Sequence, residues 1–216
     1  SHTVVDTSGY KRLKNISVMR LSNDGMSVTG NRIKISSDCL GVSGGWTPAV
    51  HLFTQSGGKL SFDEENMVFL PNKYPSEQIS IGSCNGDFEI SEIIKNLSKN
   101  LKEFLKIEQT DFDKISVDSD YERSKRNIWL LPSDKPVGKT KPFVDYQNDA
   151  TAKDIKLALR EGFRSIEHVK RYTTTGMGTD QGKLGNMHAL GIISETANAE
   201  MGELGTTTFR PTYTPL

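Results

Sequence analysis

Cysteine is nearly missing from this chain. Only Cys39 and Cys84 occur among 216 residues. They are too few for a disulfide framework and lack metal-ligand spacing, which fits a reducing compartment and leads us to expect a cytoplasmic protein with no metal site. An excess of charge is missing too: 27 basic residues face 27 acidic ones, so no nucleic-acid footprint is expected. No apolar run approaches the roughly 20 residues of a membrane span, and no signal peptide is seen. The standard phosphate-binding spacings also fail. A Walker loop ending on Gly182-Lys183 would need glycine at Met177 and a hydroxyl residue at Leu184. A Gly-x-Gly-x-x-Gly motif starting at Gly176 and Gly178 fails at Gln181.

What the chain does have is a dense run of donors from Glu167 to Lys183. It contains Lys170 and Arg171, then Thr173, Thr174 and Thr175, and then Gly176, Gly178 and Gly182 interleaved with Thr179, Asp180 and Gln181. Glycines allow close backbone approach, and hydroxyls, amides and ammonium groups donate to anions. A phosphate suits such a loop, especially if Lys183 opens a helix whose amides point at it. A solvated inter-helix turn accounts for the same composition.

Upstream the pattern is β. Ile16–Leu21 and Met26–Thr29 flank the turn Ser22-Asn23-Asp24-Gly25, a hairpin signal. Arg32–Ile35 follows, and Asp38–Ser43 reads as a short buried strand ending on Gly44-Gly45. Such an ending is either a ligand-facing sheet edge or a plain tight turn. A second hairpin is expected towards Met67–Leu70, and a last strand at Gln78–Ile81. Gly82–Asp87 then opens a helix with apolar positions Phe88, Ile90, Ile93, Ile94, Leu97, Leu101, Phe104 and Leu105. That helix start could seat a phosphate or ribose, or be capped by Asp87. Charge and proline mark Glu108–Lys141 as a solvated linker. Beyond Phe143 the chain turns helical: Thr151 and Asp154 form a capping box for Ala152–Arg160, Ser165 caps Ile166 to about Tyr172, and a third helix spans about Lys183–Asn198. The proline-bearing tail from Thr206 is extended.

Three segments together resemble the alpha subunit of heterotetrameric sarcosine oxidase: Val42–Leu52 with Gln55–Lys59, Phe143–Asp149 with Thr151–Lys183, and Gly205–Pro211 with Tyr213–Pro215. The resemblance implies a fragment of a longer chain. Its fold class would be α/β, an incomplete dinucleotide-binding unit of the disulfide-oxidoreductase type, followed by a small all-α domain like a ferredoxin module. No cysteine lies beyond Cys84, so that domain would hold no iron–sulfur cluster. The implied division is 1–107 for the end of the dinucleotide-binding region, 108–142 for the linker, 143–204 for the helical domain, and 205–216 for the lead into a folate-binding domain.

The resemblance also implies cofactors and partners. NAD would lie on the alpha subunit against Gly44, Gly45, Gly82, Ser83, Asn85, Gly86, Phe88 and Ile90. FMN would sit at the interface with the beta subunit against Lys170, Arg171, Thr174, Thr175, Thr179, Gln181 and Lys183. FAD and tetrahydrofolate would bind elsewhere in a complex with beta, gamma and delta subunits. The implied reaction is oxidative demethylation of sarcosine to glycine, with the one-carbon unit passed to tetrahydrofolate and oxygen reduced to hydrogen peroxide. This stretch would carry no catalytic residue and be silent alone. Departures from the family pattern are Leu184-Gly185-Asn186, where Thr, Ser and Asn are usual, and Ile81, where a small residue is common. The alternatives are the equivalent subunit of a proline, opine or other amine dehydrogenase, or a non-enzymatic interaction module.

Overall fold

The computed structural model of the chain describes residues 1–75, 77–108, 111–117 and 127–212. The charged part of the expected linker from Asp118 to Arg126, and the tail from Tyr213 to Pro215, lie outside the described residues. In chain order the elements are β1 (His2–Gly9), β2 (Leu13–Leu21), β3 (Val28–Ser36), α1 (His51–Gln55), β4 (Lys59–Asp63), β5 (Val68–Lys73), α2 (Ile90–Leu105), β6 (Phe143–Asp145), β7 (Ala150–Thr151), α3 (Ala152–Arg160), α4 (Ile166–Thr173), α5 (Asn186–Ala197) and α6 (Met201–Leu204). The chain is mixed α/β, and its sheets β1-β2-β3, β4-β5 and β6-β7 are antiparallel. It divides into two compact units, residues 1–45 with 126–206 and residues 46–125 with 207–213.

In the first unit the expected hairpin forms. The Ser22 hydroxyl lies within donating distance of the Asp24 carboxylate, at 2.6 Å, or the Ser27 carbonyl, at 2.9 Å, and Gly25 takes a left-handed φ of 76° beneath Ile128. Arg32 on β3 bonds Asp6 on β1 and, through two nitrogens, Asp134 of a distant loop. Lys135 and Arg32 together hold the Asp6 carboxyl down at about 2. The helical part is built around α5, whose Met187, Ala189, Leu190, Ile192 and Ile193 are all buried. A helix apolar on nearly every side belongs inside a core. Ile155 of α3 and Val169 of α4 are buried as well, and each such side chain stabilises the fold by about 1.5–3 kcal/mol.

Helix α3 starts and ends as its sequence dictates. The Asp154 carboxylate accepts the Thr151 N–H at 2.9 Å and hydroxyl at 2.6 Å. At its end Gly162 turns left-handed while Phe163 N–H returns to the Ala158 carbonyl, a Schellman-type closure. Three local expectations are corrected here. Asp38–Ser43 is neither paired nor buried, because no described strand lies beside it. The third helix begins at Asn186 rather than Lys183, since Gly182–Gly185 form a turn pressed against β6. Ser165 stands at the N-cap of α4, but its hydroxyl makes no capping bond.

The second unit holds the β4-β5 hairpin, with Phe53, Val68, Phe69 and Phe209 buried in its core. Gly58 is glycine for a packing reason: a Cβ there would lie 2.4 Å from the Phe53 ring. The strand expected at Gln78–Ile81 does not form. Helix α2 follows its apolar spacing but begins at Ile90 rather than Phe88, and Glu89, not Asp87, occupies its N-cap. Ile90, Phe104 and Leu105 along it remain half or more exposed.

Candidate functional site

The donor-rich run folds as the end of α4, a closed loop, and the approach to α5. Asp145, at the end of β6, is its centre. One carboxylate oxygen accepts the N–H groups of Gln147 and Asn148, both at 2.9 Å. The other accepts the Gly176 N–H at 2.7 Å and the Asn148 side-chain amide at 3.2 Å. Burial pushes this carboxyl up, yet the N–H donors of Gly176, Asn148 and Gln147 prevail and hold it below the usual carboxylate range. Asp145 thereby pins the middle of the loop to the β6-β7 turn, a link across 31 positions of sequence.

The glycines are demanded by this closure. A Cβ on Gly176 would meet the Asn186 side chain at 2.3 Å and the Gly182 Cα at 3.1 Å. On Gly182 it would meet Asn186 at 2.1 Å, and on Gly178 it would meet Gln147 at 2.1 Å. The two limbs of the loop therefore cross at Gly176 and Gly182, with Asn186 between them. Asp180 ties the return limb, accepting the N–H groups of Gly182 at 3.2 Å and Leu184 at 3.4 Å.

The side chains divide into two sets. Thr175 is buried and shares a 2.8 Å hydrogen bond with Thr173, whose hydroxyl donates to the Val169 carbonyl or to Thr175. Thr179 accepts from Gln147 at 2.6 Å, and Gln181 donates to the Gly178 carbonyl at 2.8 Å. These three build the loop from within. Arg171, Thr174 and Lys183 are exposed and Lys170 is half-buried. Arg171 approaches Glu167 only at 4.0 Å. Lys170 and Lys183 have no ion pair among the described residues. The first amide of α5 is already taken, by the Gly182 carbonyl at 2.9 Å, so the rim offers cationic side chains rather than a bare helix N-terminus.

Sequence reasoning missed His188. Its Nδ1 lies 3.1 Å from the Leu184 carbonyl, which makes Nδ1 the donor of that bond. Trp129 stands edge-on to it with ring centres 6.1 Å apart, and Trp129 itself covers α5 where Gly191 leaves room. Gly44 packs on the same imidazole: a Cβ there would lie 2.9 Å from Cε1. One residue of the dinucleotide set thus touches the helix that follows the glycine loop. No periodicity signals that contact, because it joins positions far apart in sequence.

The other dinucleotide candidates lie in the second unit. Gly82 and Gly86 have φ of 79° and 92° and bracket a single 3₁₀ turn, in which Asp87 N–H returns to the Gly82 carbonyl at 3.2 Å. Ser83 is exposed, Asn85 and Phe88 are half-buried, and Ile90 is exposed. Asp87 accepts the Asn96 side-chain amide at 2.9 Å through one oxygen. Its other oxygen is buried and has no hydrogen-bond partner among the described residues. Glu89 at the cap and Glu92 in the first turn of α2 already answer the positive end of that helix. Among the described residues no cluster of His, Cys, Asp and Glu could hold a metal ion, and no helix is long and apolar enough to cross a membrane.

Residues 139–216 match the sarcosine oxidase A3 domain family. The chain is 35% identical over 96% of its length to sarcosine oxidase subunit alpha of Rhizobium meliloti (strain 1021), covering 21% of that protein. It is 33% identical over 99% of its length to sarcosine oxidase subunit alpha of Corynebacterium sp. (strain P-1), covering 23% of it. The chain thus spans about a fifth of the length of these relatives, and the resemblance read from the sequence stands. Among solved structures, L-proline dehydrogenase from P. horikoshii shares the fold with a TM-score of 0.62 at 16% identity, over 99% of this chain and 43% of that one.

Proposed function

We propose that this chain, a relative of sarcosine oxidase alpha subunits along nearly its whole length, is the part of such a subunit that presents a flavin-facing loop and part of a dinucleotide site. The linear partition into 1–107, 108–142, 143–204 and 205–216, with a ferredoxin-module-like helical part and an incomplete dinucleotide unit before it, belongs to this proposal. So do the beta, gamma and delta partners, FAD and tetrahydrofolate elsewhere in the complex, and the conversion of sarcosine to glycine.

The observation that carries the reading is the division of labour in the loop. Asp145, Asn186, Thr175, Thr179 and Gln181 hold a rigid frame, and the cations at 170, 171 and 183 stay outside it. A frame fixed before binding loses little entropy when a ligand arrives. Exposed cations without a strong acidic partner suit a phosphate such as that of FMN. In the dinucleotide set, the exposed Ser83 side chain offers a hydroxyl to a ribose, and Gly82, Asn85 and Gly86 flank it in sequence. When bound, the flavin would supply electron transfer, while this chain's residues bind and orient it.

The test is flavin retention by the assembled complex. Charge-assisted contacts to phosphate contribute about 1.5–3 kcal/mol each, so Lys183→Ala should weaken FMN binding roughly ten- to hundredfold. Amine oxidation read with an artificial acceptor should persist. Unchanged FMN content in both Lys183→Ala and Arg171→Ala would reduce the loop to a structural turn. An equivalent subunit of a proline, opine or other amine dehydrogenase is the second reading, favoured by the fold shared with L-proline dehydrogenase. Turnover of the assembled complex with sarcosine against L-proline separates the two.

A further inference from the structure

Where the tip of the β2–β3 hairpin meets the segment 128–142 and the end of α5, the first unit holds a cleft of about 430 Å³. That volume suits a small ligand. Its walls are aliphatic: Met26 and Val28 come from the hairpin, and Ile128, Leu130, Leu131 and Val137 from the segment opposite. Met26 is 68% exposed and Leu131 54%, so the walls present apolar surface that a ligand's body would cover. The cleft is formed before any ligand arrives. Ile128 rests on the hairpin turn, where a Cβ on Gly25 would lie 3.2 Å from it. Further along the segment, Arg32 holds Asp134 through two nitrogens and Asp6 holds Lys135.

The charged groups that line the cleft are Asp134, Lys135 and Glu195, and the first two are committed to those ion pairs. Glu195, in the last turn of α5, forms no hydrogen bond or ion pair among the described residues. Loss of solvent around it pushes its carboxyl up, against the weaker pull of Lys156. The last turn of α5 carries no basic residue, so the negative end of that helix is unanswered there as well. The Ser27 hydroxyl, also in the lining, has no partner among the described residues.

We propose that this cleft binds a small aliphatic monoamine in its protonated form, the ammonium donating to Glu195 and Ser27 and the alkyl body lying against Met26, Leu131 and Val137. The lining selects that class. An anion would meet Glu195 and the negative end of α5 with no uncommitted cation to receive it. The carboxylate of an amino acid fails for the same reason, since Lys135 is already held by Asp6. A quaternary ammonium is best held by aromatic faces, and none of the described residues lining the cleft is aromatic. A primary ammonium instead supplies the N–H donors that the carboxylate and hydroxyl lack. The cleft shares no residue with the glycine loop or with the dinucleotide set, so it stands or falls apart from the function proposed above.

Titration of the full-length polypeptide, in its assembled complex, with n-butylammonium chloride tests it. The readout is the NMR signal of the isotope-labelled Met26 methyl, assigned with Met26→Leu. The expected result is a saturable shift with a dissociation constant of about 1 mM, in keeping with so small a ligand. n-Pentylammonium should bind roughly threefold more tightly through its added methylene, and butyrate should leave the signal unmoved. n-Butanol, which lacks the charge, should bind roughly tenfold more weakly. Glu195→Gln should weaken butylammonium by a similar factor, roughly tenfold, and Glu195→Asp, which keeps the charge, should restore most of the affinity. An equal response to butanol, or an affinity unchanged in Glu195→Gln, overturns the proposal. So does the lack of any saturable shift by about 100 mM, which is also the result if another part of the longer polypeptide fills the cleft.

Discussion

The glycine loop before α5 and the glycine turn before α2 use the same residue types and differ in what surrounds them. In the first, Gly176, Gly178 and Gly182 would each push a Cβ to within 2.3 Å of another residue. In the second, a Cβ on Gly82 would touch Ile93 at an ordinary 3.6 Å, and one on Gly86 would meet the end of Leu70 at 3.0 Å. The loop is glycine-rich because neighbouring chain fills the space. The turn is glycine-rich mainly because its backbone runs left-handed. The same letters therefore mark a rigid frame in one place and a conformational allowance in the other.

The sharpest way to break this comparison is Gly182→Ala. Left-handed backbone costs an alanine about 1–2 kcal/mol, and overlap with the buried Asn186 adds about 1–3 kcal/mol. A loss of about 3 kcal/mol or more is expected in denaturant unfolding of the first unit. A loss under about 1 kcal/mol would mean the loop yields freely and is no frame.

Asp145→Asn comes next. An amide cannot accept at both ends, so at least one of the Gly176, Gln147 and Asn148 donors loses its acceptor. We expect a cost of about 2 kcal/mol at neutral pH. The sign with pH follows from the depressed folded pKa. The carboxylate's stabilisation is fully present above the ordinary Asp value of about 3.9 and is lost as pH falls through the lower folded value. Wild type and variant should converge in acid; a gap that widens there contradicts the account.

Gly86→Ala and Gly82→Ala sharpen the other side. Strain alone predicts about 1–2 kcal/mol, with Gly86 the larger because Leu70 must move. Equality of these losses with that of Gly182→Ala would erase the distinction.

How much of this was legible beforehand follows the range of the interactions. Helix α3 was readable to the residue, because Thr151, Asp154 and Gly162 act within one turn of its ends. The Ser22–Gly25 hairpin was readable for the same reason. The start of α5 was misplaced by three residues because Gly185 packs on the Val144 carbonyl, where a Cβ would come within 2.7 Å. That contact spans 41 positions and leaves no local mark. Donor types in the candidate loop were visible as composition. Which of them face inward was not, since that depends on Asp145, Gln147 and Asn186 arriving from elsewhere. Asp38–Gly45 has strand character in sequence, but a strand forms only against a partner.

The smallest effect is the most informative about binding. Arg171 sits on the surface of α4 with Glu167 at 4.0 Å, the i, i+4 arrangement, and such exposed pairs contribute at most about 0.5 kcal/mol. Arg171→Ala should therefore leave unfolding within about 0.5 kcal/mol of wild type, and so should Lys183→Ala, whose side chain reaches outward from the frame. The two parts of the loop then separate by experiment. Frame substitutions should lower stability and flavin retention together, since a loosened frame misplaces the rim. Rim substitutions should lower flavin retention alone. If Arg171→Ala costs more than about 1 kcal/mol in unfolding, its side chain belongs to the frame and the cationic rim shrinks to Lys170 and Lys183.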